Sequence, residues 1–261
     1  MNFIIYLILV LVILFILLSL KKIRFEDMQI LEDYYSKFSS RFDNYGNNKN
    51  LDSVDCVYCI AMPKRKDYVI GKMNELGVNF KLLNAITPDD VNDSDYSILS
   101  VMHTYKSIFA LQMSFTMCFM DAINNGYSNI IVFEDDITIN TDFNSLNNII
   151  NEFVQSKFVL FYMGYCYLDC SLKFENNNNL VDVRDNTILC THAIVYKVKY
   201  LYELLNSIWP MKQAYDWMLL KSLRINKYYP CIPKKILFDQ NRTDFSSTLG
   251  NGGILNTCEI K

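Results

Sequence analysis

A run of four apolar residues, Ile130-Ile131-Val132-Phe133, stops abruptly in three consecutive acids, Glu134, Asp135 and Asp136. A short β-branched run without polar alternation fits a strand buried on both faces, the habit of parallel sheets covered by helices. Open sheets of that kind bind ligands beyond the carboxyl ends of their strands. Three carboxylates gathered there repel one another, so at least one holds its proton unless a cation neutralises the group. An all-oxygen donor set suits Mg²⁺ or Mn²⁺; a solvated acidic turn is the plainer reading of the same triplet.

The rest of the chain sets helices between such strands. Strand-like Val54 to Ala61 is followed by Pro63-Lys64-Arg65-Lys66 and a helix expected to stop at Gly77, where glycine suits a left-handed cap. Phe80 to Asn84 reads as a second strand, residues 87–97 as a loop, and Leu99 to Asn124 as a long helix ending at Asn125-Gly126. After the acid-tipped strand, Phe143, Leu146, Ile149, Ile150 and Phe153 share one face of a helix for which Thr141 is the expected N-cap. Phe158 to Met163 is a further strand ending at Gly164, and residues 174–180 are an exposed loop. Ile188 to Lys197 reads as a strand, Val198 to Asn206 and Tyr215 to Arg224 as helices, and Tyr228 to Ile232 as a short strand. The polar stretch from Asp239 onward reads as an irregular lid or end. This alternation predicts an α/β fold with a mainly parallel central sheet.

The hydrophobic fraction of 51% is high for a soluble chain, and part of the excess lies at the N-terminus, where only Ser19 interrupts the apolar run from Phe3 to Leu20. That run predicts one N-terminal transmembrane helix, closed by Lys21, Lys22 and Arg24. With no basic leader and no small-residue cleavage site, it reads as an anchor rather than a removed signal. Residues 1–24 are therefore expected as a membrane anchor, 25–50 as a partly helical stem and linker, and 51–261 as the functional domain of a single-pass membrane protein. The basic flank places that domain in the cytoplasm. A lumenal domain is the usual arrangement for a secretory-pathway enzyme, and only there do the sequons at Asn92 and Asn241 matter.

A net charge of −3 with no large basic patch argues against nucleic acid as the main partner. Among the eight cysteines, Cys56 and Cys59 share a strand at odd spacing and point to opposite faces, which fits neither zinc chelation nor a redox pair. Cys118, Cys166, Cys170, Cys190, Cys231 and Cys258 are scattered through apolar segments and read as small core residues rather than a disulfide framework.

Several of these residues, taken in order, resemble glycosyltransferase family 25. They are the strand Val57-Tyr58-Cys59-Ile60 followed by Arg65 and Lys66, Gly126 ahead of the acids, and Ile-Val-Phe-Glu-Asp-Asp at 131–136. Tyr162-Met163-Gly164, Thr191-His192-Ala193 and Tyr215-Asp216 complete the set. The resemblance covers about residues 54 to 250, and the family includes lipooligosaccharide galactosyltransferases and procollagen hydroxylysine galactosyltransferases. It implies a GT-A type nucleotide-diphospho-sugar transferase fold, Mn²⁺ or Mg²⁺, and inversion at the anomeric carbon. It also implies a UDP-sugar donor, galactose before glucose, and a hydroxyl acceptor on a glycan or protein.

Strand alternation puts Glu134 and Asp136 on one side with Asp135 opposed, so Asp136 is the first expected metal ligand. Glu134 joins the metal shell or the ribose, and Asp135 takes either role if the strand has already turned. His192 is a metal ligand or phosphate contact within its motif, or else a hydrogen-bonded core histidine; His103, without a motif, is a core residue. Arg65, with Lys64 and Lys66, contacts phosphate or forms a solvated face. Asp216 is the expected base for the acceptor hydroxyl, or an acid favoured by its helix N-terminus. Gln240 and Arg242 are expected in a C-terminal loop closing over the nucleotide.

Two positions depart from the family. Its Ser-His pair ahead of the acids stands here as Ser114-Phe115, and the glycine before Thr-His is Cys190. The missing histidine motivates an alternative, a catalytically degenerate transferase fold kept as a membrane or surface interaction module.

Overall fold

The computed structural model describes residues 28–100, 105–168 and 179–245. The expected membrane helix at Phe3 to Leu20, together with His103, Cys170 and Cys258, lies outside them. No helix among the described residues is long and apolar enough to cross a membrane.

The chain opens with α1 (28–38), β1 (Phe42–Tyr45), β2 (Cys56–Ala61), α2 (Lys66–Leu76) and β3 (Phe80–Asn84). α3 (Asp93–Leu99), α4 (Lys106–Asn124), β4 (Asn129–Phe133), β5 (Ile137–Ile139) and α5 (Phe143–Gln155) follow. Then come β6 (Leu160–Gly164), β7 (Tyr167–Leu168), β8 (Leu180–Asp182), β9 (Ile188–Leu189) and β10 (Ala193–Lys197). α6 (Leu201–Ile208), α7 (Tyr215–Ile225), β11 (Pro230–Pro233) and β12 (Phe238–Gln240) close the described chain.

Among the described residues, eight strands form one mixed sheet in the order β1-β3-β2-β4-β10-β6-β11-β8. The pairs β2·β3, β2·β4 and β6·β11 are parallel, whereas β10 runs antiparallel to both β4 and β6. Five strands thus point one way, and β1, β10 and β8 point the other. The mainly parallel sheet expected from the sequence is present, with β10 inserted in reverse at its centre. That insertion brings the start of β10 beside the carboxyl end of β4.

The apolar run of β4 is buried on both faces, which explains its lack of alternation. Ile130 and Val132 join a layer built by α1, α4, α6 and α7, while Ile131 and Phe133 join the layer under α2 and α5. All four are 0% exposed. Across the first layer, Asp121 of α4 accepts from Lys81 Nζ at 2.8 and 2.9 Å, from Tyr58 Oη at 2.5 Å and from Tyr35 Oη at 3.1 Å. This buried acid ties α4 to β2, β3 and α1. The opposed cysteines behave as their spacing requires, Cys59 lying in the second layer and Cys56 against the first.

Several expectations are corrected. Residues 28–45, read as stem, belong to the domain: Leu31, Tyr34 and Phe38 are buried in the first layer and β1 pairs with β3 at the sheet edge. The expected loop at 87–97 contains the start of α3, capped by Asn92, whose side chain accepts from the Ser94 N–H at 2.9 Å. α5 is capped by Asp142 rather than Thr141, through a 3.0 Å bond from the Ser145 N–H. The single strand expected over Ile188 to Lys197 is broken into β9 and β10, because Cys190 takes a left-handed φ of 69°. The stretch from Asp239 begins as strand, with β12 pairing antiparallel to β5.

Candidate active site

Beyond Phe133 the three acids take separate partners. The Glu134 N–H donates to the His192 carbonyl at 3.0 Å, and its Oε1 accepts from Thr191 Oγ1 at 2.8 Å. Asp135 turns to the start of α2, accepting from the Met62 N–H at 2.7 Å and from Arg65 Nη1 at 2.9 Å. Asp136 Oδ2 accepts from Gln240 Nε2 at 3.4 Å, and the Asp136 carbonyl accepts from the Asn241 N–H at 2.5 Å. Its other carboxylate oxygen, Oδ1, is buried with no hydrogen-bond partner among the described residues. Asp135 is therefore separated from its two neighbours, as alternation requires, and its charge is already matched by Arg65.

The remaining acids are electrostatically crowded. Burial, followed by the charge of Asp136, pushes Glu134 up to about 8; the Thr191 hydroxyl opposes the rise, and Asp135 and Asp216 add to it. Burial and then Asp135 raise Asp136 to about 6, with Arg65 pulling the other way. Asp216 sits in the first turn of α7, where burial raises it against N–H donors from Trp217 at 2.8 Å and Cys190 at 3.5 Å. Glu134, Asp136 and Asp216 thus share one field at the carboxyl end of β4 although eighty residues of chain separate the third from the others.

His192 is 0% exposed, with Nε2 3.3 Å from the Phe238 carbonyl and Nδ1 without a partner among the described residues. Burial lowers its pKa to about 4, so the ring is neutral near pH 7. It presses against Gly164, where a Cβ would lie 2.2 Å from His192 Nε2 and 2.4 Å from the Phe238 carbonyl oxygen. The Tyr-x-Gly strand end therefore needs its glycine for close approach.

Cys166 and Cys190, expected as core residues, form a disulfide with Cα atoms 5.5 Å apart. It joins the chain after β6 to the chain before β10. Cys190 also explains the family's glycine at this position, because its φ of 69° lies where side chains other than glycine are disfavoured.

Arg65, expected to meet phosphate, is engaged by Asp135 and has its guanidinium over the Phe245 ring at 4.6 Å. Lys66 pairs with Asp43 at 3.0 Å. The segment after β12 crosses the acids: Asn241 Nδ2 reaches Tyr68 Oη at 3.1 Å, and the Tyr68 and Phe245 rings meet edge-on at 4.9 Å. Gln240 and Arg242 are there together, with Arg242 Nη2 donating to Gln240 Oε1 at 3.0 Å.

At the position of the family histidine, Phe115 is fully buried and stacks on Tyr215 at 4.5 Å, the residue before Asp216. Ser114 Oγ is consumed by the Ala110 carbonyl and the Ile86 N–H, both at 2.9 Å. Thr191 was visible in the Thr-His-Ala motif, yet only the tertiary contact gives its hydroxyl a role. Tyr68 and Asn241 carried no signal, since they meet across most of the domain. A cavity of about 220 Å³ lined by Asn44, Tyr45, Lys81 and Tyr127 lies by the amino-terminal ends of β2, β3 and β4, away from the acids.

The model of glycosyltransferase family 25, described as an LPS biosynthesis protein, matches residues 58–215, more than half of the chain. The matched span holds the acid triplet, Gly164, the Thr191-His192-Ala193 motif and Tyr215 at its boundary. No curated protein matches the chain.

Proposed function

This chain belongs to glycosyltransferase family 25 and is a glycosyltransferase, and on that premise we propose that Glu134 and Asp136 form the cation and diphosphate end of its donor site. The observation that carries the reading is the buried, unpartnered Oδ1 of Asp136 beside a carboxyl, Glu134, pushed up to about 8. Two carboxylates that are costly to ionise together, one with an oxygen that no described residue meets, fit a hard divalent ion. When bound there, Mn²⁺ or Mg²⁺ supplies Lewis-acid neutralisation of the departing diphosphate.

The protein residues divide the remaining work. Asp135 and Arg65 lock the turn that carries the acids onto the start of α2. Thr191 holds the Glu134 carboxylate, and Gln240 holds that of Asp136. Asp216 takes the proton of the acceptor hydroxyl, its affinity for protons raised by burial toward the range useful for a base. The segment carrying Asn241 and Phe245 covers the turn and limits water. His192, buried beside the disulfide, is left out of the cation shell in this reading.

The reaction in this reading is inverting transfer of a hexose, galactose before glucose, from a UDP-sugar to a hydroxyl on a glycan or protein, on a GT-A type scaffold. Attachment to a membrane through residues 3–20 belongs to the same proposal. Phe115 in place of the family histidine favours a second reading, a transferase fold that binds without turnover. A screen of UDP-sugars measuring released UDP, with and without Mn²⁺, separates the two. Turnover abolished by chelation and by Asp136→Asn is expected; full activity of that variant would remove the cation assignment, and absence of any UDP-sugar binding would favour the second reading.

A further inference from the structure

Cys166, Cys190 and His192 bring two sulfurs and a ring nitrogen within 4.8 Å of one another. None of the three is needed for the cation at Asp136, which is an all-oxygen site. We propose that this corner is a redox-gated site for a soft divalent ion such as Zn²⁺: the oxidised chain holds the disulfide, and the reduced chain holds the ion.

Four observations support it. First, two thiolates and a neutral imidazole are a donor set for zinc, and zinc sites with three protein ligands keep an open fourth position. Second, His192 Nε2 faces the Phe238 carbonyl at 3.3 Å. A proton on that nitrogen leaves the lone pair on Nδ1, which is buried and has no partner. Metal-bound histidines characteristically donate their other ring N–H to a backbone carbonyl in this way. Third, the ring is 0% exposed and pressed against Gly164, which fixes it beside the two sulfurs.

Fourth, Cys166 Sγ lies 3.1 Å from Gln240 Oε1, yet a disulfide sulfur has no proton to donate. That contact is a hydrogen bond in the reduced, metal-free thiol, and it gives way when the ion takes the sulfur. Arg242 Nη2 donates to the same sulfur at 3.0 Å, which favours thiolate, and Arg242 is exposed. Tetrahedral bonding of about 2.3 Å to each sulfur needs the two sulfurs roughly 3.8 Å apart. Side-chain rotation after cleavage supplies that separation.

The chemistry balances through a dithiol reductant. The dithiol gives two electrons and two protons, closing to its own disulfide, while the Cys166–Cys190 bond breaks into two thiols. Entry of the ion then forms two sulfur–metal bonds and releases two protons to solvent.

The full-length chain is tested as purified and after reduction with a phosphine followed by anaerobic desalting. Each form is titrated with Co²⁺ and then with Zn²⁺. The reduced chain is expected to develop a thiolate-to-cobalt charge-transfer band that saturates at one ion per chain and is bleached by Zn²⁺. The oxidised chain shows no such band, and an ion bound at Asp136 cannot produce one. Cys190→Ser and His192→Ala are expected to weaken the reduced-state affinity at least about tenfold. No band in the reduced wild-type chain, an undiminished band in Cys190→Ser, or loss of the circular dichroism of the fold on reduction would each overturn the proposal. The comparison of oxidised and reduced wild-type chain holds even if a variant fails to fold.

Discussion

Thr191 donates its hydroxyl to Glu134 across 2.8 Å, joining the residue before the buried histidine of one motif to the first acid of another. The reversed β10 makes this possible, because its antiparallel pairing with β4 sets Ala193 opposite Phe133 and so places the residues just beyond both strands together. The hydroxyl favours the ionised form of a carboxyl that burial and neighbouring acids push up to about 8.

Thr191→Val keeps the shape and removes the donor. A hydrogen bond to a charged group is worth about 1.5–3 kcal/mol, so Mn²⁺ affinity at the acids is expected to fall roughly 10- to 100-fold. Calorimetric titration of Mn²⁺ into wild type and variant measures this. Unchanged affinity would place Glu134 outside the cation shell.

The acids also make a pH prediction for the metal-free chain. Glu134 rises from its ordinary 4.5 to about 8 on folding and Asp136 from 3.8 to about 6, so the folded chain binds more protons and their stabilising contribution is lost as pH rises through those values. His192 falls from 6.5 to about 4, so its contribution is present above 6.5 and lost as pH falls toward 4, opposing the acids at low pH. The most informative window is therefore between 6.5 and about 8, where Glu134 is the one of these groups that changes most. There the metal-free Tm is expected to fall with pH and Mn²⁺ to restore it, most strongly at the upper end. Scanning calorimetry with and without chelator reads both, and a flat metal-free Tm across the window would remove the raised carboxyl.

Asp216→Asn tests the base. If Asp216 is the base, its loss costs about 10²–10⁴-fold in rate, with donor KM little changed, since a base for the acceptor hydroxyl does not hold the donor. The Trp217 N–H donates to Oδ1 at 2.8 Å and the Cys190 N–H to Oδ2 at 3.5 Å, so the amide oxygen keeps the shorter bond and only the long contact is given up, and the fold is expected to survive. A variant within a few-fold of wild-type kcat would return Asp216 to a helix-terminus acid.

Asp121→Ala tests the polar knot on the opposite layer. Asp121 is 3% exposed, and its removal leaves the Lys81 ammonium, with an 18% exposed side chain, without its anion. Breaking a buried pair on one side costs about 3–5 kcal/mol. Urea unfolding is expected to show that loss, while affinity for Mn²⁺ in the folded protein is kept. A loss below about 1 kcal/mol would mean that solvent already screens the pair.

Much of this architecture was legible before any coordinates. The unbroken apolar run at 130–133 announced a strand covered on both faces, and Phe143 to Phe153 announced the helix that covers one of them. The triplet, Gly164 and Thr191-His192-Ala193 were local patterns, and they fall within the family match. Less legible was residue 28–45, whose mixed composition resembles a stem because its apolar side chains become a core only against α4 and β3. The left-handed φ at Cys190, which splits one expected strand in two, was hinted at by the family's glycine and no more.

The sequence by itself determined the central strands, the helices α2, α4, α5, α6 and α7 that cover them, the acid-tipped strand and the family, because periodicity and short motifs depend on neighbours a few residues apart. The tertiary structure decided which acid meets a counter-charge and which does not: Asp135 goes to Arg65, Glu134 to Thr191, and Asp136 keeps a buried oxygen without a partner among the described residues. It decided too that two apparently inert cysteines meet beside His192. Those contacts join segments brought together only by the reversal of β10 and the return of β12. No spacing along the chain encodes the through-space distances that set their charge and chemistry.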